Sequence, residues 1–118
     1  MEKLALEVKR RLNLENVRLT GGREHKVKRI GLAWSGLGLS LNIGFVETLL
    51  SYKPHVLIAG EMDEYPECYV LNAGVDMIEV GHSVSENIGL RRFSKILKQE
   101  YPEVKVVFFE YLKPWLTL

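Results

Sequence analysis

The chain has 118 residues, 47% hydrophobic and 26% charged, a balance that suits one globular domain and excludes collagen-like, low-complexity and disordered chains. Sixteen Lys+Arg against fifteen Asp+Glu leave a net charge of +1, so bulk charge gives no support for nucleic-acid binding. The single cysteine, Cys68, excludes an intrachain disulfide and a cysteine zinc cluster.

A reduced, cytoplasmic setting is therefore expected. No apolar run approaches a membrane span, and the first residues do not read as a signal peptide. The near-neutral total hides an asymmetry. Residues 1–59 carry a net +5 and residues 60–118 a net −4. The cations Lys9, Arg10, Arg11, Arg18, Arg23, Lys26, Lys28 and Arg29 form a patch for a polyanion on one reading. Solvated faces are the preferred reading, because no aromatic residue is interleaved among them.

Leu4, Val8 and Leu12 fall at i, i+4 and i+8, which predicts a helix over residues 3–12, with Asn13 as a tolerated stop. Val17–Thr20 reads as a short strand closed by Gly21-Gly22. Val27–Trp34 reads as a second strand whose continuously apolar end suits a buried parallel sheet. Ser35-Gly36-Leu37-Gly38 then turns into a helix from about Ser40 to Tyr52, with Ile43, Val46, Leu49 and Leu50 as its buried stripe.

The pattern repeats. Val56–Ala59 is a predicted strand ending in Gly60-Glu61. A helix follows over roughly Asp63–Ala73, ended by Gly74. Cys68 within it is expected as a small core residue. Val75–Val80 is a strand ending in Gly81-His82. A long helix runs over Val84–Glu100 with Ile88, Phe93, Ile96 and Leu97 inward. Val104–Phe109 is the last predicted strand, and the tail Leu112–Leu118 is apolar enough to dock. Residues 1–118 are thus expected to form a single layered α/β domain. Its mainly parallel sheet has about five strands, with helices on both faces.

Ligands bind outside the carboxyl ends of parallel strands. Three strand ends here carry Ser35–Gly38, Gly60-Glu61 and Gly81-His82, and parallel strands place all three on one edge. The N–H groups around Ser35, Gly36 and Gly38 suit an anion; a tight turn needing glycine is the competing reading. Glu61 is a candidate catalytic carboxylate, orienting or activating water, or else an acidic residue favourable to a helix dipole. His82 and Glu86 lie four apart, so one helix face presents both to a metal. Ser83-x-x-Glu86 is also a capping box, and spacing alone favours capping. His25, in a basic turn, and His55, before a strand, lie away from this edge.

The runs His55–Glu61, Gly74–Leu90 and Val104–Phe109 together resemble the NIF-three-like family (NGG-one-interacting factor three), often assigned as GTP cyclohydrolase I type 2. The order strand–Gly-Glu, then strand–Gly-His-x-x-x-Glu-x-x-Gly, resembles its carboxyl-terminal half. The resemblance implies a dinuclear divalent-metal site (zinc, iron, manganese or magnesium) in a homo-oligomer with a hydrolase-type role. His82 and Glu86 match its late metal ligands, and Gly60-Glu61 its strand-end acidic position. Typical members are longer, and a preceding lobe supplies a His-His pair and an aspartate. This chain has no His-His pair. The resemblance therefore implies a partial site completed by another chain or by a symmetric copy. The alternative is a non-catalytic oligomerising or anion- and nucleotide-binding module. Neither a membrane nor sequence-specific nucleic acid is an expected partner.

Overall fold

Strand pairing around one buried strand organises the molecule. A computed structural model describes residues 1–111, except the side chains of Trp34, Leu39, Ser40 and Leu41. The expected docking of Leu112–Leu118 lies outside these residues. In chain order the elements are α1 (Glu2–Arg11), β1 (Arg18–Thr20), β2 (Ile30–Leu37), α2 (Leu39–Ser51), β3 (Val56–Met62), α3 (Glu64–Asn72), β4 (Asp76–Glu79) and α4 (His82–Glu100). The strands form one sheet in the order β1-β4-β3-β2. β3 pairs parallel with both β2 and β4, and β1 closes one side antiparallel. The expected class, α/β with a mainly parallel sheet, is the one observed.

Alternation along β3 creates two cores. Leu57 and Ala59 face one side, packed with Val46 of α2, Val70 of α3 and Met77 of β4. Val56 and Ile58 face the other, packed with Ile78 and with Ala5, Leu4, Val8 and Leu12 of α1. The crossover helices α2 and α3 therefore cover one face. α1 and α4 cover the other, α4 lying over β2 and β3. The helix ends follow local chemistry. Asp63 caps α3, its Oδ1 accepting from the Tyr65 N–H at 3.0 Å, and Gly74 leaves that helix at φ +77°.

Five sequence-based expectations change. The apolar end of β2 is not buried on both faces: β2 is an edge strand, and Ile30 and Leu32 are exposed. Val104–Phe109 does not join the sheet; it is irregular chain, held near α4 by Arg91 over the Phe108 ring and by bonds to Glu110 and Tyr111 just beyond it. Ile43 of the α2 stripe is exposed, as is Cys68 of α3. On α4, Ile88, Phe93 and Ile96 are exposed, and the buried residues are Ser85 and Ser94. Small side chains let that helix approach the sheet closely. Their hydroxyls are satisfied within the helix, donating to the carbonyls of His82 at 2.7 Å and Arg91 at 2.8 Å.

The β1–β4 ladder places Arg18 opposite Glu79. Arg18 Nε lies 2.9 Å from Glu79 Oε2 and its guanidinium also pairs with Glu67. Burial nevertheless lifts the Glu79 carboxyl above its ordinary range, Arg18 opposing this only in part. In the unfolded chain Glu79 loses its proton at lower pH than in the fold. Stability should therefore fall as pH rises from the ordinary carboxylate value through the folded one, and then level off. Urea unfolding between about pH 4 and pH 7 should show that decline flattened in Glu79→Gln. An unchanged profile would remove the burial argument.

Candidate functional site

The site is built at the carboxyl edge of the three parallel strands. β2 runs to Leu37, further than its apolar pattern indicated. Ala33 pairs with Ala59 and Gly36 with Glu61, so the register shifts between Ala33 and Gly36. Ser35 sits in that bulge at φ +72°, a conformation unusual for a residue with a side chain. The bulge turns Ser35 toward α4: its N–H donates to Ser85 Oγ at 3.1 Å, and its Oγ donates to Glu86 Oε1 at 2.7 Å.

β4 ends at Glu79, but ladder-like contacts continue. The Val80 N–H meets the Ala59 carbonyl at 3.0 Å and the Gly81 N–H meets the Gly60 carbonyl at 2.5 Å. Gly81, at φ +100°, then turns the chain so sharply that α4 starts at His82. This overturns the capping box. Gly81 is the N-cap, no side chain caps the helix, and Glu86 faces Ser35 and His82 instead of the Ser83 N–H. The early start places Glu86 two positions deeper in the helix than a capping box requires.

His82 is gripped on both sides. Nδ1 lies 2.9 Å from Glu61 Oε1 and Nε2 lies 2.9 Å from Glu86 Oε1; Ser35 Oγ is 3.2 Å from Nε2. Glu61 first, and Glu86 with it, raise the His82 pKa above its ordinary value. The Ser35 hydroxyl first, then His82, holds the Glu86 carboxyl below its ordinary value. The structure thus brings Ser35, Glu61, His82 and Glu86 together from three elements.

Glycine makes this possible at two points. A Cβ on Gly36 would stand 3.0 Å from both Glu61 Oε1 and His82 Nδ1. A Cβ on Gly60 would stand 2.5 Å from the Ser35 carbonyl and from Ser85 Oγ. Ser85 was not singled out from the sequence. Its only signal is a serine on the sheet-facing side of an amphipathic helix. Around the proposed anion turn, the Ser35 N–H is taken by Ser85, and the Gly38 N–H by Asn42 Oδ1 at 3.1 Å. His25 lies apart, with Nδ1 2.9 Å from Asp76 Oδ2 at the start of β4, and His55 Nδ1 accepts from the Arg29 N–H.

The donor types suit a divalent metal: an imidazole nitrogen and a carboxylate oxygen on one face, with Glu61 placed to receive the Nδ1 proton and fix the ring. The donor number does not. Catalytic metals usually take three protein ligands, and among the described residues no three His, Cys, Asp or Glu side chains converge as a metal cage. None of the described helices is long and apolar enough to cross a membrane.

The family model for Duf34/NIF3 (NGG1p interacting factor 3) matches residues 1–114. Two crystal structures of Staphylococcus aureus protein SA1388, one describing it as hypothetical, each superpose with a TM-score of 0.76 at 20% identity, over 99% of this chain and 33% of that one. A Bacillus cereus protein related to NIF3 gives a TM-score of 0.72 at 16% identity, over 99% of this chain and 32% of that one. This chain therefore spans about a third of the length of these solved structures, and the likeness to them is one of fold. No curated protein matches it in sequence. With its match extending over nearly every residue, the chain belongs to the Duf34/NIF3 family.

Proposed function

We propose that this chain carries half of a divalent-metal site and serves a metal-dependent hydrolase-type function once further ligands reach it from another polypeptide or a second copy. One observation carries the reading: the His82 ring is held at both nitrogens by carboxylates, at 2.9 Å each, on the edge where parallel sheets place their chemistry. His82 Nε2 and Glu86 would hold the ion. Glu61 is a positioning residue that receives the Nδ1 proton, and Ser35 fixes the Glu86 carboxylate. A bound divalent ion would supply Lewis-acid polarisation or an acidified water.

Calorimetric titration with Zn²⁺ or Mn²⁺ tests this. The full chain should take up metal. His82→Ala combined with Glu86→Ala should weaken uptake by at least about 100-fold, and Glu61→Gln by roughly 10-fold. Equal, negligible uptake by wild type and double variant would end the metal reading. Native mass measurement during the titration would separate a second copy from a different partner as the source of the missing ligands. A second reading, an oligomerising or anion-binding module without chemistry, draws on the same contacts. Both nitrogens of His82 are satisfied by this chain alone, as a purely structural ion-pair network would require.

A further inference from the structure

A cleft of about 400 Å³ opens beside His82 and Glu86, within the size range of small-molecule sites. One wall is the first turns of α4. Its residues His82, Glu86, Asn87 and Leu90 stand on one helix face and run roughly 12 Å along the axis. The other wall is the irregular segment after α4, which contributes Phe109 and Tyr111.

That second wall is held in place. Asn87 Nδ2 donates to the Tyr111 carbonyl at 2.7 Å. Arg91 pairs with Glu110, and its guanidinium lies 5.6 Å from the centre of the Phe108 ring. Three fasteners from one helix thus set a wall that has no ladder of its own. They hold Phe109 83% exposed and Tyr111 56% exposed, opposite Leu90 at 52%. Two aromatic residues and a leucine therefore meet water around a preformed gap.

Charge narrows the occupant. Among the described residues no Lys or Arg lines the cleft, and Glu86 places a carboxylate at its polar end. The nearby cation Arg91 is committed to Glu110 and Phe108. A phosphate group would enter against a negative charge, with no cation among the described lining residues to receive it.

We propose that this cleft binds an uncharged aromatic group: a ring system between Leu90, Phe109 and Tyr111, with a hydrogen-bonding end at His82, Glu86 and Asn87. The inference rests on the proposed hydrolase-type site, for which it names the class of substrate moiety held beside the chemistry. A phosphorylated part of a substrate would have to lie outside this cleft.

The probe is 2-naphthamide, with cyclohexanecarboxamide and inorganic pyrophosphate as comparisons, added to the full ¹⁵N-labelled chain and followed by NMR. 2-Naphthamide should shift the Asn87 side-chain amide and bind at least about tenfold more tightly than the cyclohexyl amide. Phe109→Ala with Tyr111→Ala, both exposed and so harmless to the core, should weaken that binding about tenfold while leaving Zn²⁺ uptake unchanged. Equal affinity for the two amides, no effect of the aromatic variants, or pyrophosphate binding at Asn87 would each overturn the proposal. Zn²⁺ uptake without 2-naphthamide binding would defeat the cleft alone. Binding of 2-naphthamide without Zn²⁺ uptake would support the cleft and defeat the metal reading.

Discussion

Gly60→Ala should destabilise the domain by about 3 kcal/mol and disable the site with it. Its Cβ would sit 2.5 Å from the Ser35 carbonyl and 2.5 Å from Ser85 Oγ. The hydroxyl could rotate away, but the carbonyl belongs to the backbone of the β2 bulge. Either β2 or α4 must move, and both carry site residues. Thermal unfolding should show a melting point lowered by roughly 10 °C, and the Ser35–Ser85 and Ser35–Glu86 contacts should be lost. Adding Ser85→Ala should recover only part of the stability, because the contacts with the Ser35 carbonyl and the Ser35 nitrogen remain. Gly89→Ala, in α4, is the control: open space surrounds that position, so alanine should be neutral or gain up to about 1 kcal/mol of helix propensity. A Gly60→Ala protein with wild-type stability and contacts would show that β2, β3 and α4 are less tightly apposed than described.

Leu57→Ala should cost about 4 kcal/mol, toward the upper end for a buried leucine. Leu57 has no exposed surface and is the second residue of β3, paired with Gly31 of β2 on one side and Met77 of β4 on the other. Its Cδ2 occupies the space over Gly31 on the neighbouring strand, where a Cβ would stand only 2.5 Å away. With glycine opposite, nothing can close over the vacated volume. The double substitution Gly31→Ala with Leu57→Ala puts a methyl into that space. It should be measurably more stable than Leu57→Ala alone, although Gly31→Ala alone should destabilise by overpacking. Urea unfolding of the four proteins would measure this. Simple additivity of the two losses would mean that Gly31 and Leu57 do not share one volume.

Much of the framework was legible along the chain. The apolar runs at Ile30–Ala33, Val56–Ala59 and Val75–Val80 each fall in or beside an observed parallel strand; burial on both faces explains the run in the inner strand β3, whereas Ile30 and Leu32 of the edge strand β2 are exposed. The i, i+4, i+8 leucines and valine of α1 pack where their period put them. Val104–Phe109 misled for the same reason. It has a strand's composition, but a strand needs a partner edge, and here the chain is held to α4 at Phe108 and at the residues just after, Glu110 and Tyr111. The exposed Ile88, Phe93 and Ile96 show the same limit: periodicity identifies an apolar stripe and cannot say which stripe the sheet receives.

The site divides along a similar line. That Ser35, Glu61 and His82 share an edge follows from strand direction, which the alternation of strands and helices already implies. The His82–Glu86 pairing follows from helical spacing. Spacing alone favoured capping for Glu86, and the structure reverses that choice. The choice depended on where α4 begins, and a single positive-φ glycine, Gly81, decided it. The Ser35–Glu86 bond had no local signal, for it spans 51 positions and depends on a bulge in β2.

By itself, then, the sequence determined the α/β class, the order of the elements and the edge on which polar residues collect, because these rest on periodicities of two and 3.6 residues that neighbours along the chain enforce. Tertiary structure alone decided that His82 is held between two carboxylates, that Ser35 joins them, and that a cleft lined by no cation among the described residues opens beside them. Those features rest on distances between residues far apart in sequence, set by strand register, by close approach at Gly36 and Gly60, and by the way the chain after α4 folds back. The chain spans about a third of the length of the solved structures it resembles, and among its described residues no three His, Cys, Asp or Glu side chains converge on that edge as a metal cage.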